Sequence, residues 1–117
     1  MDERRTLRVS EAVREELIEL VGFEMEDPRL APVEISDVDV SQDGRHATVR
    51  VAVRAREREQ KEAMAALEHA KPFIRHELSS RLALRHTPEL HFERDRNPDV
   101  DSRIDVLLKR AKRKRGD

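Results

Sequence analysis

Apolar residues recur along this chain in two rhythms, of about 3.6 and about 2 residues, and the switches between them mark out its elements. From Leu7 to about Glu24, Val9, Val13, Leu17, Leu20 and Val21 fall at helical spacing, with Arg8, Arg14, Glu15, Glu16 and Glu19 filling much of the rest. This spacing predicts an amphipathic first helix. No capping box marks its start, and Gly22 either weakens its last turn or ends it. The segment Glu26-Asp27-Pro28-Arg29-Leu30-Ala31-Pro32 then excludes regular helix, because each proline removes a backbone donor and restricts the residue before it.

From Val33 the period changes to two. Val33 and Ile35 share one phase, Val38 and Val40 the other, and a bulge at Ser36-Asp37 keeps both pairs on one face. Ser41-Gln42-Asp43-Gly44-Arg45 reads as a turn, with Asp-Gly supplying the positive φ. His46 to Arg54 alternates cleanly, with Ala47, Val49, Val51 and Val53 on one face, so a hairpin with a single buried face is predicted.

Helical spacing returns from Arg56 to about His69, with Ala63, Leu67 and Ala70 in line and Met64 alongside. Pro72 predicts a break at Ala70-Lys71-Pro72, since proline opens a helix readily but lacks the N–H needed inside one. A second basic amphipathic helix, with Ile74, Leu78 and Leu82 as its apolar stripe, is expected to run to about Leu84. A strand at Glu89 to Glu93 follows and points Leu90 and Phe92 inward, and Ile104, Leu107 and Leu108 suggest a last short helix between Asp101 and about Lys112. The predicted class is α+β, in the order helix, strand, strand, helix, helix, strand, with helices packed on a three-stranded sheet.

The length of 117 residues suits one domain. Charged residues make up 42% of the chain, which together with the periodic apolar bursts argues for a folded domain with a highly charged surface. The formal net charge of -1 conceals an asymmetry: Lys109, Arg110, Lys112, Arg113, Lys114 and Arg115 hold six of the 24 basic residues, leaving 18 basic against 24 acidic residues before them. The expected division is a folded unit over 5–108 and a basic tail over 109–117. Such an arm attracts polyanions, or simply keeps the chain in solution. Three Phe and no Trp or Tyr leave little for base stacking, so phosphate contacts would dominate any nucleic-acid binding.

The absence of cysteine excludes disulfides, thiolate metal sites and thiol catalysis. The charged start and the lack of any apolar run near ~18 residues give no sign of a signal peptide or membrane span, and a cytoplasmic monomer is expected. Among the five histidines, His69 and His76 are seven apart, and His46 and His91 fall in separate strands; none forms an H-E-x-x-H or similar ligand spacing, so no metal site is expected. Ser79, Ser80 and the many carboxylates form no nucleophile-and-base motif. With only Gly22, Gly44 and Gly116 there is no phosphate-cradling loop either. No enzymatic activity, cofactor or small-molecule substrate is expected.

Five short words in order carry a family resemblance: Asp27-Pro28-Arg29-Leu30, Arg45-His46-Ala47-Thr48-Val49, Phe73-Ile74-Arg75, Leu84-Arg85-His86-Thr87-Pro88-Glu89-Leu90-His91-Phe92 and Arg103-Ile104-Asp105-Val106-Leu107-Leu108. Together with the first helix before them they cover about Arg8 to Leu108, and on them the chain resembles the ribosome-binding factor A family, bacterial factors for late maturation of the small ribosomal subunit. The resemblance implies a KH-like type II fold, the order already read from periodicity. RNA-binding KH domains carry a G-x-x-G loop, which this chain lacks. The family has an interhelical kink written A-x-G, and Ala70-Lys71-Pro72 stands there with proline in place of glycine.

Read from the residues alone, Lys71, Arg75, Arg81 and Arg85 fit an ordinary salt-bridged helix face, with Glu77 nearby. The resemblance instead implies rRNA contact through these four and Arg45, aided by the basic tail. It implies a non-enzymatic assembly factor that binds the immature 30S subunit through its rRNA and assists maturation and 5'-end processing of 16S rRNA. The alternative, from another class, is a protein-interaction adaptor whose tail only solubilises it.

Overall fold

The computed structural model describes residues 2–95, and its order is helix, strand, strand, helix, strand. The final-helix expectation between Asp101 and Lys112, and the basic tail, lie outside the described residues. Helix α1 runs over Glu3–Glu19, four residues earlier than its apolar pattern suggests, because the Asp2 side chain accepts a hydrogen bond from the Arg5 N–H at 2.8 Å. An N-cap of this kind satisfies a donor that helix geometry leaves orphaned. At Gly22 the helix widens into a π-turn over Leu20–Glu24, closed by the Met25 N–H on the Leu20 carbonyl at 2.8 Å. Leu20 and Val21 are thereby buried together while Phe23 faces outward.

The word Asp27-Pro28-Arg29-Leu30 folds as a one-turn 3-10 helix over Pro28–Leu30. Asp27 caps it through the Arg29 N–H at 2.9 Å and also binds the Arg29 guanidinium, and the turn drives Leu30 into the core at 3% exposure. Two strands follow, β1 over Val33–Val40 and β2 over His46–Val53, paired antiparallel with the register shift between Ile35 and Asp37. The expected bulge is present, and it puts Ile35, Val38 and Val40 on the same buried face. The Ser36 hydroxyl donates to the Arg50 carbonyl across it at 3.1 Å. Gly44 takes φ 74°, as the Asp-Gly turn requires.

Helix α2 departs from the expectation. The break at Ala70-Lys71-Pro72, and with it the second of two helices, is replaced by one helix over Glu57–Arg81 with Pro72 inside. Its inward stripe explains why: Ala63, Ala66, Leu67, Ala70, Ile74 and Leu78 continue in one helical phase across the proline, so both halves pack on the same sheet. Proline forfeits one hydrogen bond there, but its φ suits a helix, and the residues buried on either side keep both halves in one helical phase. Strand β3, Glu89–Arg94, pairs in parallel with β2 and completes a three-stranded sheet in the order β1-β2-β3. α1 packs over β1 and α2 over β3, so among the described residues one sheet face is covered and the other is open. Ser10 ties α1 to β1: nearly buried, its Oγ accepts the Val40 N–H at 3.0 Å.

Candidate nucleic-acid interface

The parallel pairing of β2 and β3 sets His46 opposite Glu89, and the loop from α2 into β3 folds over that end of the sheet. Arg45, His46, Arg75, His86, Thr87 and Glu89 line a depression of about 340 Å³ there. Arg75 is its anchor. Its Nε donates to the Pro88 carbonyl at 3.3 Å and one terminal nitrogen donates to the Thr87 carbonyl at 3.1 Å. A guanidinium has five donors in a fixed fork, so these two bonds aim the group and leave others for an anion. Among the described residues, neither Arg75 nor Arg45 is paired with a carboxylate, and Arg85, exposed in the same loop, has no ion pair.

Two of the cations expected to share that role are otherwise engaged. Arg81 bridges Glu24 at 2.5 and 2.7 Å, Glu16 at 3.5 Å and Glu77 at 3.9 Å, tying the end of α2 to α1 and the π-turn. Hydrogen bonding to Glu24 is the main cause that raises the Arg81 pKa, and the same contact holds Glu24 below its ordinary carboxylate value. Lys71 is half-buried, with its ammonium 2.8 Å from Glu68 and 5.7 Å from the centre of the Phe92 ring. Its aliphatic stem covers apolar surface while the charge remains at the edge. The structure thus divides the basic set: Arg45 and Arg75 line one depression at the end of the sheet and Arg85 is exposed in the loop that leads into β3, while Arg81 and Lys71 bind acids of the body.

One constellation was invisible in the sequence. His46 Nδ1 lies 3.0 Å from His91 Nε2, and 4.0 Å from a Glu89 carboxylate oxygen. These side chains project from neighbouring strands on the open face, and 45 positions separate the two histidines along the chain. Alternation placed His46 and Glu89 on outward faces, but only the strand pairing makes them neighbours.

The fold and this surface define a KH-like α+β domain without a G-x-x-G loop, and with no nucleophile-and-base arrangement among the described residues. A sequence model of the family described as ribosome-binding factor A matches residues 5–108. The ribosome-binding factor A of Solibacter usitatus is 63% identical over 116 residues, covering 99% of this chain and 94% of that one. The crystal structure of ribosome-binding factor A from Thermus thermophilus superposes with a TM-score of 0.69 at 27% identity, covering 76% of this chain and 94% of that one. A homology model of the Thermus thermophilus factor, fitted into a cryo-EM map of its complex with the 30S subunit, gives a TM-score of 0.56 at 29% identity, covering 72% of this chain and 92% of that one. The chain belongs to the ribosome-binding factor A family. Its function is therefore that of a ribosome biogenesis factor in 16S rRNA maturation, and it catalyses no reaction.

Proposed function

We propose that this protein assists late maturation and 5'-end processing of 16S rRNA by docking on the immature 30S subunit in the cytoplasm, as a monomer, through the depression at the end of β2 and β3. The observation that carries this reading is the pair Arg45 and Arg75, two guanidiniums at one concave site with no carboxylate paired to either among the described residues. Arg85 lies in the adjoining loop and extends the same basic surface. The Thermus thermophilus factor fitted into its 30S complex supports the choice of partner. Lys71 and Arg81 act at the margin, since their charges are already compensated by Glu68 and by Glu24, Glu16 and Glu77. The unit over 5–108 makes the specific contacts. The 109–117 tail, through Lys109, Arg110, Lys112, Arg113, Lys114 and Arg115, adds sequence-independent attraction. Binding favours one rRNA conformation by as much as the protein prefers it over competing ones, which requires no bond making or breaking.

The test is affinity for purified 30S subunits as a function of salt. Each phosphate contact contributes roughly one unit to the slope of log affinity against log salt. Arg75→Glu and Arg45→Glu should each weaken binding and flatten that slope, and deletion of residues 109–117 should flatten it further without abolishing saturable binding. A protein-interaction adaptor is the second reading, favoured by two exposed aromatics, Phe23 at 77% and Phe73 at 50%. Charge-reversal variants that bind as tightly and with the same slope would decide for it.

A further inference from the structure

The histidine pair on the open sheet face has chemistry that docking on rRNA does not use. We infer that His46 Nδ1, His91 Nε2 and the Glu89 carboxylate form a binding site for a single divalent transition-metal ion, zinc in the first instance. The three donor atoms lie within 4.8 Å of one another. Among the described residues the three side chains have no hydrogen-bond or ion-pair partners other than each other. No network within the fold therefore accounts for their convergence.

The spacing is close to what the ion demands. Zinc takes imidazole nitrogen at about 2.0–2.1 Å and carboxylate oxygen at about 2.0–2.2 Å, so two ligands of a tetrahedral site stand roughly 3.3 Å apart. The nitrogens, at 3.0 Å, need to separate by only a few tenths of an ångström, and the Glu89 oxygen, at 4.0 Å, must close by rather more. The exposed Glu89 side chain can make that move by rotating about its own bonds. The backbone positions are fixed independently by the β2–β3 ladder, which pairs His46 with Glu89 and Thr48 with His91. Without metal, the two rings at this distance can share one N–H···N hydrogen bond; to bind the ion, the ring that donates it carries its proton on its other nitrogen instead, so both lone pairs face the metal and no net proton is lost.

Two imidazoles and one carboxylate suit zinc, nickel or cobalt better than magnesium or calcium, which favour all-oxygen shells. Three protein ligands leave a fourth position for water. Because His46 and Glu89 also line the basic depression, a bound ion changes the charge at its rim. That consequence for rRNA rests on the proposed docking mode; the metal site itself does not.

The experiment is calorimetric titration of the untagged full-length chain with zinc chloride, repeated with cobalt to read coordination from its visible absorption. One equivalent should bind, and His46→Gln and His91→Gln should each weaken binding at least ~10-fold, as loss of a ligand does no less than loss of a group supporting one. His69→Gln, on the exposed side of α2, should bind as the unsubstituted chain does. If a variant loses its far-UV dichroism, paramagnetic broadening by nickel in the unsubstituted chain supplies the same reading, because the site predicts broadening centred on the His46 and His91 ring protons. Absence of a saturable equivalent, unchanged affinity in either folded histidine variant, or broadening centred elsewhere overturns the inference. Each of these results leaves 30S affinity measured without metal untouched, so the docking proposal stands or falls separately.

Discussion

Replacing Pro72 with alanine should make this protein more stable. Pro72 lies inside α2, fifteen positions after Glu57 and nine before Arg81, with its ring exposed. In a helix interior proline costs about 3 kcal/mol relative to alanine, through the missing N–H and the clash with the carbonyl four residues back. An alanine here regains at least the hydrogen bond from its own N–H to the Glu68 carbonyl, worth about 1 kcal/mol net. Removing an exposed ring costs little packing in return. The expected gain therefore lies between about 1 and about 3 kcal/mol. For a domain of this size each kcal/mol moves the melting temperature by roughly 4–8 °C, so an increase of at least ~4 °C is expected. Urea denaturation followed by far-UV dichroism gives the same quantity as a higher midpoint at unchanged slope. A Pro72→Ala variant with an unaltered or lower midpoint would refute the reasoning, because it would mean that residues 70–72 do not follow a helical path in solution.

Three other perturbations probe separate contacts. Ser10→Ala removes the acceptor of the Val40 N–H and strands a buried donor, so a loss of about 1–3 kcal/mol is expected in the same assay; a loss below about 0.3 kcal/mol would mean that water replaces the hydroxyl. Glu24, Asp27 and Asp43 have lowered pKa values, caused first by side-chain hydrogen bonds from Arg81, Arg29 and Ser41 respectively. A carboxyl lowered in the folded state contributes stability above its unfolded pKa and loses it as pH falls through the folded one, so stability should decline as pH falls below the ordinary carboxylate range. Arg81→Met should shrink that decline by the part due to Glu24, and urea midpoints that fall equally in both proteins would dissociate Arg81 from it. Arg50→Gln on the open sheet face should leave 30S affinity and its salt slope unchanged, whereas Arg75→Gln should lower the slope by roughly one unit; equal effects would move the interface onto the sheet face.

Local rules located the elements well wherever one strand or one turn decides the outcome. The bulge at Ser36-Asp37 follows from a phase slip between two apolar pairs, and the Gly44 conformation from the turn it closes. Leu90 and Phe92 face inward as alternation requires. The start of α1 was missed because the first apolar position in the pattern is Leu7, itself exposed, while the cap at Asp2 acts through the backbone. Pro72 misled because the proline rule is local, whereas the stripe from Ala63 to Leu78 is collective and prevails. The site was harder still. Glu77, one turn before Arg81, was visible as a partner, but Glu24 meets Arg81 from 57 positions away. His46 and His91 become neighbours only through the parallel ladder, whose register no short-range pattern encodes.

The charge layout explains why Arg75 and not Arg50 should govern rRNA affinity. The open sheet face carries Glu34, Asp37 and Asp39 from β1 and Glu89 and Glu93 from β3, against Arg50 on β2. Arg50 is held by Asp37 at 3.0 Å and Asp39 at 2.7 Å, and Arg54 just beyond β2 is held by Glu34 at 2.9 Å. A polyanion laid across this face would meet more acids than bases. It would find no aromatic platform apart from the His46 and His91 rings, since Phe92, the aromatic of β3, points into the core. Arg45 and Arg75 lie at the end of the sheet, where the acids described are Glu89, which lines the depression, and Asp43, which accepts the Arg45 backbone N–H at 3.0 Å; neither forms an ion pair with either guanidinium. Glu89 is also the acid that a metal ion held with His46 and His91 would neutralise. The same parallel pairing that closes the core next to β2 thus turns an acidic sheet into one with a basic end, and gives that end a group able to adjust its charge.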